Sequence, residues 1–217
     1  MSIYTDKLLS SNLVGAKTLD ELFRIEKEVT QQKIFYLRQH PIMGNFDFKH
    51  LKDIHKFIFE DIYSTAGKDR AEIGFKNSSF GKYDNDGIFN KFIDGQELNN
   101  LAKEIFGDLE SKNFLKNLNF HDFNKQSTEL FIKLNDLHPF LEGNGRVQRI
   151  FMRQLAKEAG YDLNLSITKK DDMINAYSHA KYGNKTNLIV LFIKACKPIE
   201  KSVKIKTPIE KDIGREG

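Results

Sequence analysis

Apolar residues recur along most of this chain at spacings of three and four, the period of an amphipathic helix. Thr18 followed by Glu21 reads as a capping box, and Leu22, Ile25 and Val29, with Leu37 further on, supply the helical stripe behind it. The Pro41–Gly44 region closes that helix. Asp47 is placed to cap a second one, whose stripe runs Phe48, Leu51, Ile54, Ile58, Ile62. From Ala66 to Tyr83 the period is lost. Gly67, Gly74 and Gly81 punctuate a polar stretch that also holds Phe75 and Phe80, as a β-hairpin or an irregular loop would require. Helical spacing resumes from Ile88 to Leu109, weakened by Gly95, and returns over Phe123–Leu137, Arg146–Ala159, Asp171–Lys181 and Asn187–Cys196. Gly160 is a natural stop. Beyond Pro198 the pattern fades into charged and β-branched residues. The expectation is one mostly helical domain over residues 1–197 and a loosely ordered, charged tail over 198–217.

Composition narrows the reading only slightly. A chain of 217 residues that is 40% hydrophobic can bury one core. A net charge of +4 is weak support for nucleic acid, and there is no basic helix interleaved with aromatics. The single cysteine, Cys196, excludes an internal disulfide framework and fits a reducing compartment. Met1 to Leu13 lacks the apolar core of a leader, and no apolar run is long enough to span a membrane. A cytoplasmic protein is expected, with a secreted effector left open. His50, His55 and His121 match no zinc-ligand spacing and read as structural.

The chemistry is concentrated in His138-Pro139-Phe140-Leu141-Glu142-Gly143-Asn144-Gly145-Arg146-Val147-Gln148-Arg149, which joins one helix to the next. Gly143 and Gly145 let backbone approach a ligand closely. The helix that follows presents its first N–H groups and the positive end of its dipole to an anion. Arg146 and Arg149 nevertheless stand in its first turns, where cations oppose that dipole. A bound polyanion would reverse the sign, and guanidinium is the side chain best shaped for phosphate. Glu142 would be repelled by phosphates unless a divalent cation lay between. His138, before a proline at a helix end, can serve as general base near neutral pH. Taken singly, each feature has a bland explanation: Asn144, for example, could be only a helix cap. Together they suit attack by a hydroxyl on a nucleotide phosphate.

This segment resembles the signature of the Fic (filamentation induced by cAMP) family, His-x-Phe-x-(Asp/Glu)-Gly-Asn-Gly-Arg-x-x-Arg, with every fixed position met. Gly44-Asn45-Phe46-Asp47 through His50, then Asp61-Ile62-Tyr63, Ala66-Gly67 and Arg70, are similar to the family's upstream helix and turn, so that the likeness extends over residues 10 to 197. The resemblance implies an all-α fold, a helical bundle with a small β-hairpin flap over the active site. It implies an adenylyltransferase that moves AMP from ATP, with Mg²⁺, onto a Ser, Thr or Tyr hydroxyl of a target protein. His138 would take the hydroxyl proton and Glu142 would hold Mg²⁺. Gly143, Asn144 and Gly145 would cradle the phosphates. Arg146 and Arg149 would contact their far end, and Phe140 would anchor the loop in the core. A flap over Ile73, Gly74, Phe75, Lys76 and Phe80 would clamp the target by strand addition.

The family's inhibitory motif, (Ser/Thr)-x-x-x-Glu-(Gly/Asn), is not met. The frame Ser10–Gly15 has valine in place of glutamate, and Asp212–Gly217 begins with aspartate. A small separate antitoxin carrying the inhibitory glutamate is therefore expected, as in a toxin–antitoxin pair. Relatives that move UMP, phosphocholine or phosphate are the alternative; Gly145 favours AMP over the phosphate-transferring branch. Neither a nucleic acid nor a membrane is expected as a partner.

Overall fold

The computed structural model describes residues 3–75, 80–83, 87 and 89–200. Among them are eight α-helices: α1 (Ile3–Ser11), α2 (Leu19–Gln39), α3 (Phe48–Phe59), α4 (Leu98–Ser111), α5 (Phe120–Leu137), α6 (Asn144–Glu158), α7 (Lys170–Lys181) and α8 (Thr186–Ala195). Four three-residue strands form two antiparallel ribbons. β1 (Gly81–Tyr83) pairs with β2 (Phe89–Lys91), and β3 (Tyr161–Leu163) pairs with β4 (Cys196–Pro198).

Side chains that cap the backbone begin the helices where the sequence places them. Thr18 Oγ1 accepts the Glu21 N–H at 3.2 Å, while the Glu21 carboxylate accepts the Lys17 N–H at 2.9 Å. Asp47 Oδ1 accepts the His50 N–H at 2.7 Å, and Asn119 Oδ1 accepts the Asp122 N–H at 2.9 Å. Each such cap contributes about 1 kcal/mol by taking up an N–H that has no partner within the helix.

α6 lies at the centre, packed against α2, α3, α5 and β3. Phe59, Phe123, Phe140, Phe151 and Phe192 have no appreciable exposure, so the phenylalanine-rich composition is spent on this core. Phe151 of α6 meets Phe46 and Phe106 edge to face, with ring centroids 5.8 and 5.9 Å away, the arrangement that aromatic quadrupoles favour. α5 packs in turn against α4, α7 and α8, and α7 against α8.

The structure departs from the sequence reading at several places. Residues 89–91 are strand and not helix; helix begins only at Leu98, beyond Gly95. Among the described residues the ribbon here lies at Gly81–Tyr83 and Phe89–Lys91. α1 and the β3–β4 ribbon were not anticipated, and Cys196 belongs to β4 rather than to a helix. The inward phase of α2 is Leu22, Glu26, Thr30 and Leu37; Ile25 and Val29 are only half-buried. The charged tail, from residue 201 onward, and Lys76 lie outside the described residues.

Truncating Phe151 to alanine should remove roughly 3–5 kcal/mol of stability through lost burial and a cavity among the aromatic rings. Urea unfolding followed by circular dichroism would show it as a lower midpoint with an unchanged slope.

Candidate active site

α5 ends at Leu137, and His138 follows in the left-handed region (φ 39°, ψ 59°), its N–H still bonded to the Leu134 carbonyl at 3.2 Å. Pro139 cannot continue the helix. The chain turns back at Gly143 (φ 84°) and enters α6. Only glycine fits there. A Cβ on Gly143 would fall 2.2 Å from the Phe59 ring, beside the strain of a positive φ. A Cβ on Gly145 would meet nothing nearer than the Arg149 guanidinium at 3.6 Å, so this glycine faces open space.

Three clamps fix the loop. Asn144 Oδ1 accepts the Phe140 N–H at 2.8 Å, and its Nδ2 donates to the Phe140 carbonyl at 2.7 Å. The second clamp is Arg70, fully buried. Its Nε donates to the His138 carbonyl at 2.8 Å, its Nη2 to Ile93 and Leu137 carbonyls at 2.8 and 3.4 Å, and its backbone N–H to Pro139 at 2.7 Å. The third is His55. Its Nδ1 accepts the Gly67 N–H at 2.8 Å, so the ring proton sits on Nε2, 3.2 Å from the Glu142 carbonyl. The His55 ring lies flat on Phe140, centroids 3.8 Å apart. Burial drives its pKa down to about 3, which keeps it neutral.

The loop opens into a cleft of about 650 Å³. One wall is the start of α6 with Glu142, Gly143, Gly145, Arg146 and Arg149; the other is β2 and α7, with Asn90, Phe92, Met173 and Tyr177. His138 borders the cleft, its ring stacked on Phe92 at 3.6 Å and edge-on to Phe80 at 5.8 Å. The same arginines border a second cleft of about 470 Å³ on the α2 side, with Lys27, Ile34, Phe35 and Arg38.

The two arginines differ in electrostatic standing. Arg146 forms an ion pair with buried Glu26, donates to Thr30 Oγ1 at 3.1 Å and lies 3.5 Å from Glu142 Oε1. Tyr63 in turn donates to Glu26. Arg149 has no recorded ion pair among the described residues, and burial together with the neighbouring Arg146 charge lowers its pKa. Two cations at a helix N-terminus oppose the dipole; the charge of Arg146 is offset by carboxylates and that of Arg149 is not. Within α6, Arg146 and Val147 donate back to the Gly143 carbonyl. The Asn144 and Gly145 N–H groups remain as the outward donors of the helix.

Glu142 Oε2 accepts the Tyr4 hydroxyl at 2.7 Å and Oε1 accepts the Gly143 N–H at 2.8 Å. No group of three His, Cys, Asp or Glu residues that could cage a metal occurs among the described residues. A lone carboxylate at the rim of a phosphate cradle fits Mg²⁺ that arrives with its phosphates, since this ion binds through one or two carboxylates and keeps its other ligands.

The motif residues His138, Glu142, Gly143, Gly145, Arg146 and Arg149 thus share one cleft. Phe140 is buried, and the Asn144 side chain is committed to the loop backbone, leaving only its N–H for a ligand. Of the expected flap residues, Phe75 and Phe80 are buried, Ile73 and Gly74 lie in turns before β1, and Lys76 lies outside the described residues. Sequence reasoning missed Tyr4, Glu26, Asn90 and Phe92, and assigned His55 no place at the site. Glu26 and Thr30 did carry a signal: polar residues in the inward phase of an amphipathic helix.

The loop thus joins a histidine at the end of α5 to two arginines at the start of α6 on a helical scaffold. The chain belongs to the Fic/DOC family, which matches residues 45–156. It is 35% identical over 174 residues to the protein adenylyltransferase VbhT of Bartonella schoenbuchensis, covering 80% of this chain and 34% of that one. It is 32% identical over 192 residues to the probable protein adenylyltransferase Fic of Escherichia coli, covering 88% and 90%. The crystal structure of BepC, a VirB-translocated effector of Bartonella tribocorum with bound AMPPNP, superposes with a TM-score of 0.74 at 27% identity, over 87% of this chain and 92% of that one. The chain spans 34% and 36% of the first two curated relatives.

Because His55 is neutral in the folded protein down to about pH 3, the unfolded chain binds a proton there that the native state refuses below the ordinary value of about 6.5. Its contribution to stability is complete above that value and drains away as pH falls toward the folded pKa. The melting temperature of the wild type should drop more steeply between pH 6.5 and 4 than that of His55→Gln, as differential scanning calorimetry at several pH values would record.

Proposed function

We propose that the chain transfers AMP from ATP to a hydroxyl side chain of a target protein. The observation that carries this reading is Arg149: a guanidinium without a recorded counter-ion, beside the open Gly145 and the outward N–H groups of α6, 3 positions from an arginine already paired. The adenylyltransferase names of the relatives and the AMPPNP bound to a structural neighbour support ATP as the anion.

In this reading the phosphates lie on the Asn144 and Gly145 N–H groups and Arg149, with Arg146 at their far end. His138 accepts the proton of the target hydroxyl as its oxygen bonds to the α phosphorus. The bond from that phosphorus to the bridging oxygen breaks, and pyrophosphate leaves with the electron pair. Mg²⁺ held by Glu142 would supply charge neutralisation at the phosphates. The gain comes from positioning and from preorganised charge, since Arg70, His55 and Asn144 hold the loop before substrate arrives. The β1–β2 ribbon would receive the target segment by strand addition.

The expected antitoxin would act from the second cleft. A partner carboxylate entering beside Ile34 and Phe35 would satisfy Arg149 from the α2 side and deny it to the phosphates. No described helix is long and apolar enough to cross a membrane.

Incubation of the purified chain with α-labelled ATP and Mg²⁺ in bacterial lysate should label protein, and His138→Ala should lower that labelling by about 10²–10⁴-fold. Label carried over from the γ position, or from CTP or UTP in preference to ATP, would replace AMP transfer with another member of the alternatives. With the labelled band as substrate, Arg149→Ala should reduce kcat/KM for ATP by roughly 10- to 100-fold, the worth of a lost charge-assisted hydrogen bond.

A further inference from the structure

We propose that Tyr4, at the start of α1, is a positioning residue for the Glu142 carboxylate and thereby for the divalent cation; this rests on Glu142 being the metal carboxylate. Tyr4 stands 138 positions from Glu142 in the chain, yet its hydroxyl donates to Oε2 at 2.7 Å. Its ring also approaches Phe80, centroids 5.9 Å apart, and Phe80 in turn borders His138. The first helix of the chain is thus brought into the back of the site.

The bond matters because of what Glu142 would do without it. Arg146 reaches to 3.5 Å from Oε1, longer than the 2.7–2.9 Å usual for a charge-assisted hydrogen bond. Attraction favours closing that gap, and a carboxylate turned fully onto Arg146 would be lost to a cation. Among the described residues, the Gly143 N–H on Oε1 and the Tyr4 hydroxyl on Oε2 oppose the rotation. On the other side of Arg146 the fold repeats the device, with Tyr63 donating to Glu26. Each tyrosine braces one of the two carboxylates that flank the guanidinium. A ligating carboxylate held by a hydrogen bond from outside the metal's own shell typically loses 10- to 100-fold in metal affinity when that bond is removed.

Tyr4→Phe removes one oxygen and keeps the ring against Phe80. The test is a titration of Mn²⁺ into the chain saturated with AMPPNP, free Mn²⁺ being followed by electron paramagnetic resonance, for wild type, Tyr4→Phe and Glu142→Gln. The expected result is a roughly tenfold weaker Mn²⁺ affinity in Tyr4→Phe, with AMPPNP affinity in EDTA and the melting temperature close to wild type. Labelling by Tyr4→Phe should also recover as Mg²⁺ is raised. Unchanged Mn²⁺ affinity in Tyr4→Phe beside a weakened Glu142→Gln would overturn the proposal and leave Tyr4 a packing residue. An AMPPNP affinity in EDTA that falls as much as the Mn²⁺ affinity would overturn it too, placing the defect in the phosphate cradle. Wild-type Mn²⁺ affinity in Glu142→Gln would instead remove the metal role of Glu142, and that of Tyr4 with it.

Discussion

A guanidinium sealed from solvent holds the site together. Arg70 sits after α3, and its donors reach carbonyls at the end of α5, in the loop that opens at His138 and just past β2. Removing such a charge from water is costly unless its hydrogens are bonded; here backbone carbonyls take those of Nε and Nη2, Nη1 is buried without a hydrogen-bond partner among the described residues, and the Phe80 ring lies 5.0 Å from the charge. Burial lowers its pKa only to about 10, so the cation persists at neutral pH. Three segments that share no secondary structure meet at this one group. The backbone of His138, the left-handed turn and the base of the ribbon all take their positions from it.

The second organising feature is the division of labour between Arg146 and Arg149. One is tied into a chain of donors and acceptors that runs Tyr63, Glu26, Arg146, Glu142, Tyr4. The other is left against the helix dipole. A protein surface could satisfy both by pairing, as it does elsewhere on this chain with Lys33 and Asp61. Leaving one uncompensated against the dipole costs stability.

Much of this was legible in the sequence, and for definite reasons. α3 and α5 show their apolar period over several turns, and Thr18 and Asp47 mark helix starts by side-chain chemistry alone. The loop from His138 to Arg149 was legible because its parts are contiguous. Other features were not. A three-residue strand covers too little of the chain to show alternation, so β2, β3 and β4 were absorbed into neighbouring helical or loop readings. Glu26 lay inside a stripe read from its apolar members, which shifted the inward face of α2 by one residue. Tyr4 and Arg70 act through hydrogen bonds to residues far along the chain, and local pattern holds no trace of such a partnership.

Two clefts share one wall, and that wall is a pair of arginines. Ligands on the two sides that engaged the same arginine would be coupled, and the coupling would be reciprocal. An anion that draws Arg149 toward α2 changes the affinity for nucleotide by some factor, and the nucleotide changes the affinity for that anion by the same factor. Under the proposed reading, a nucleotide on one side and a carboxylate on the other would compete for the same guanidinium, each weakening the other by an equal factor.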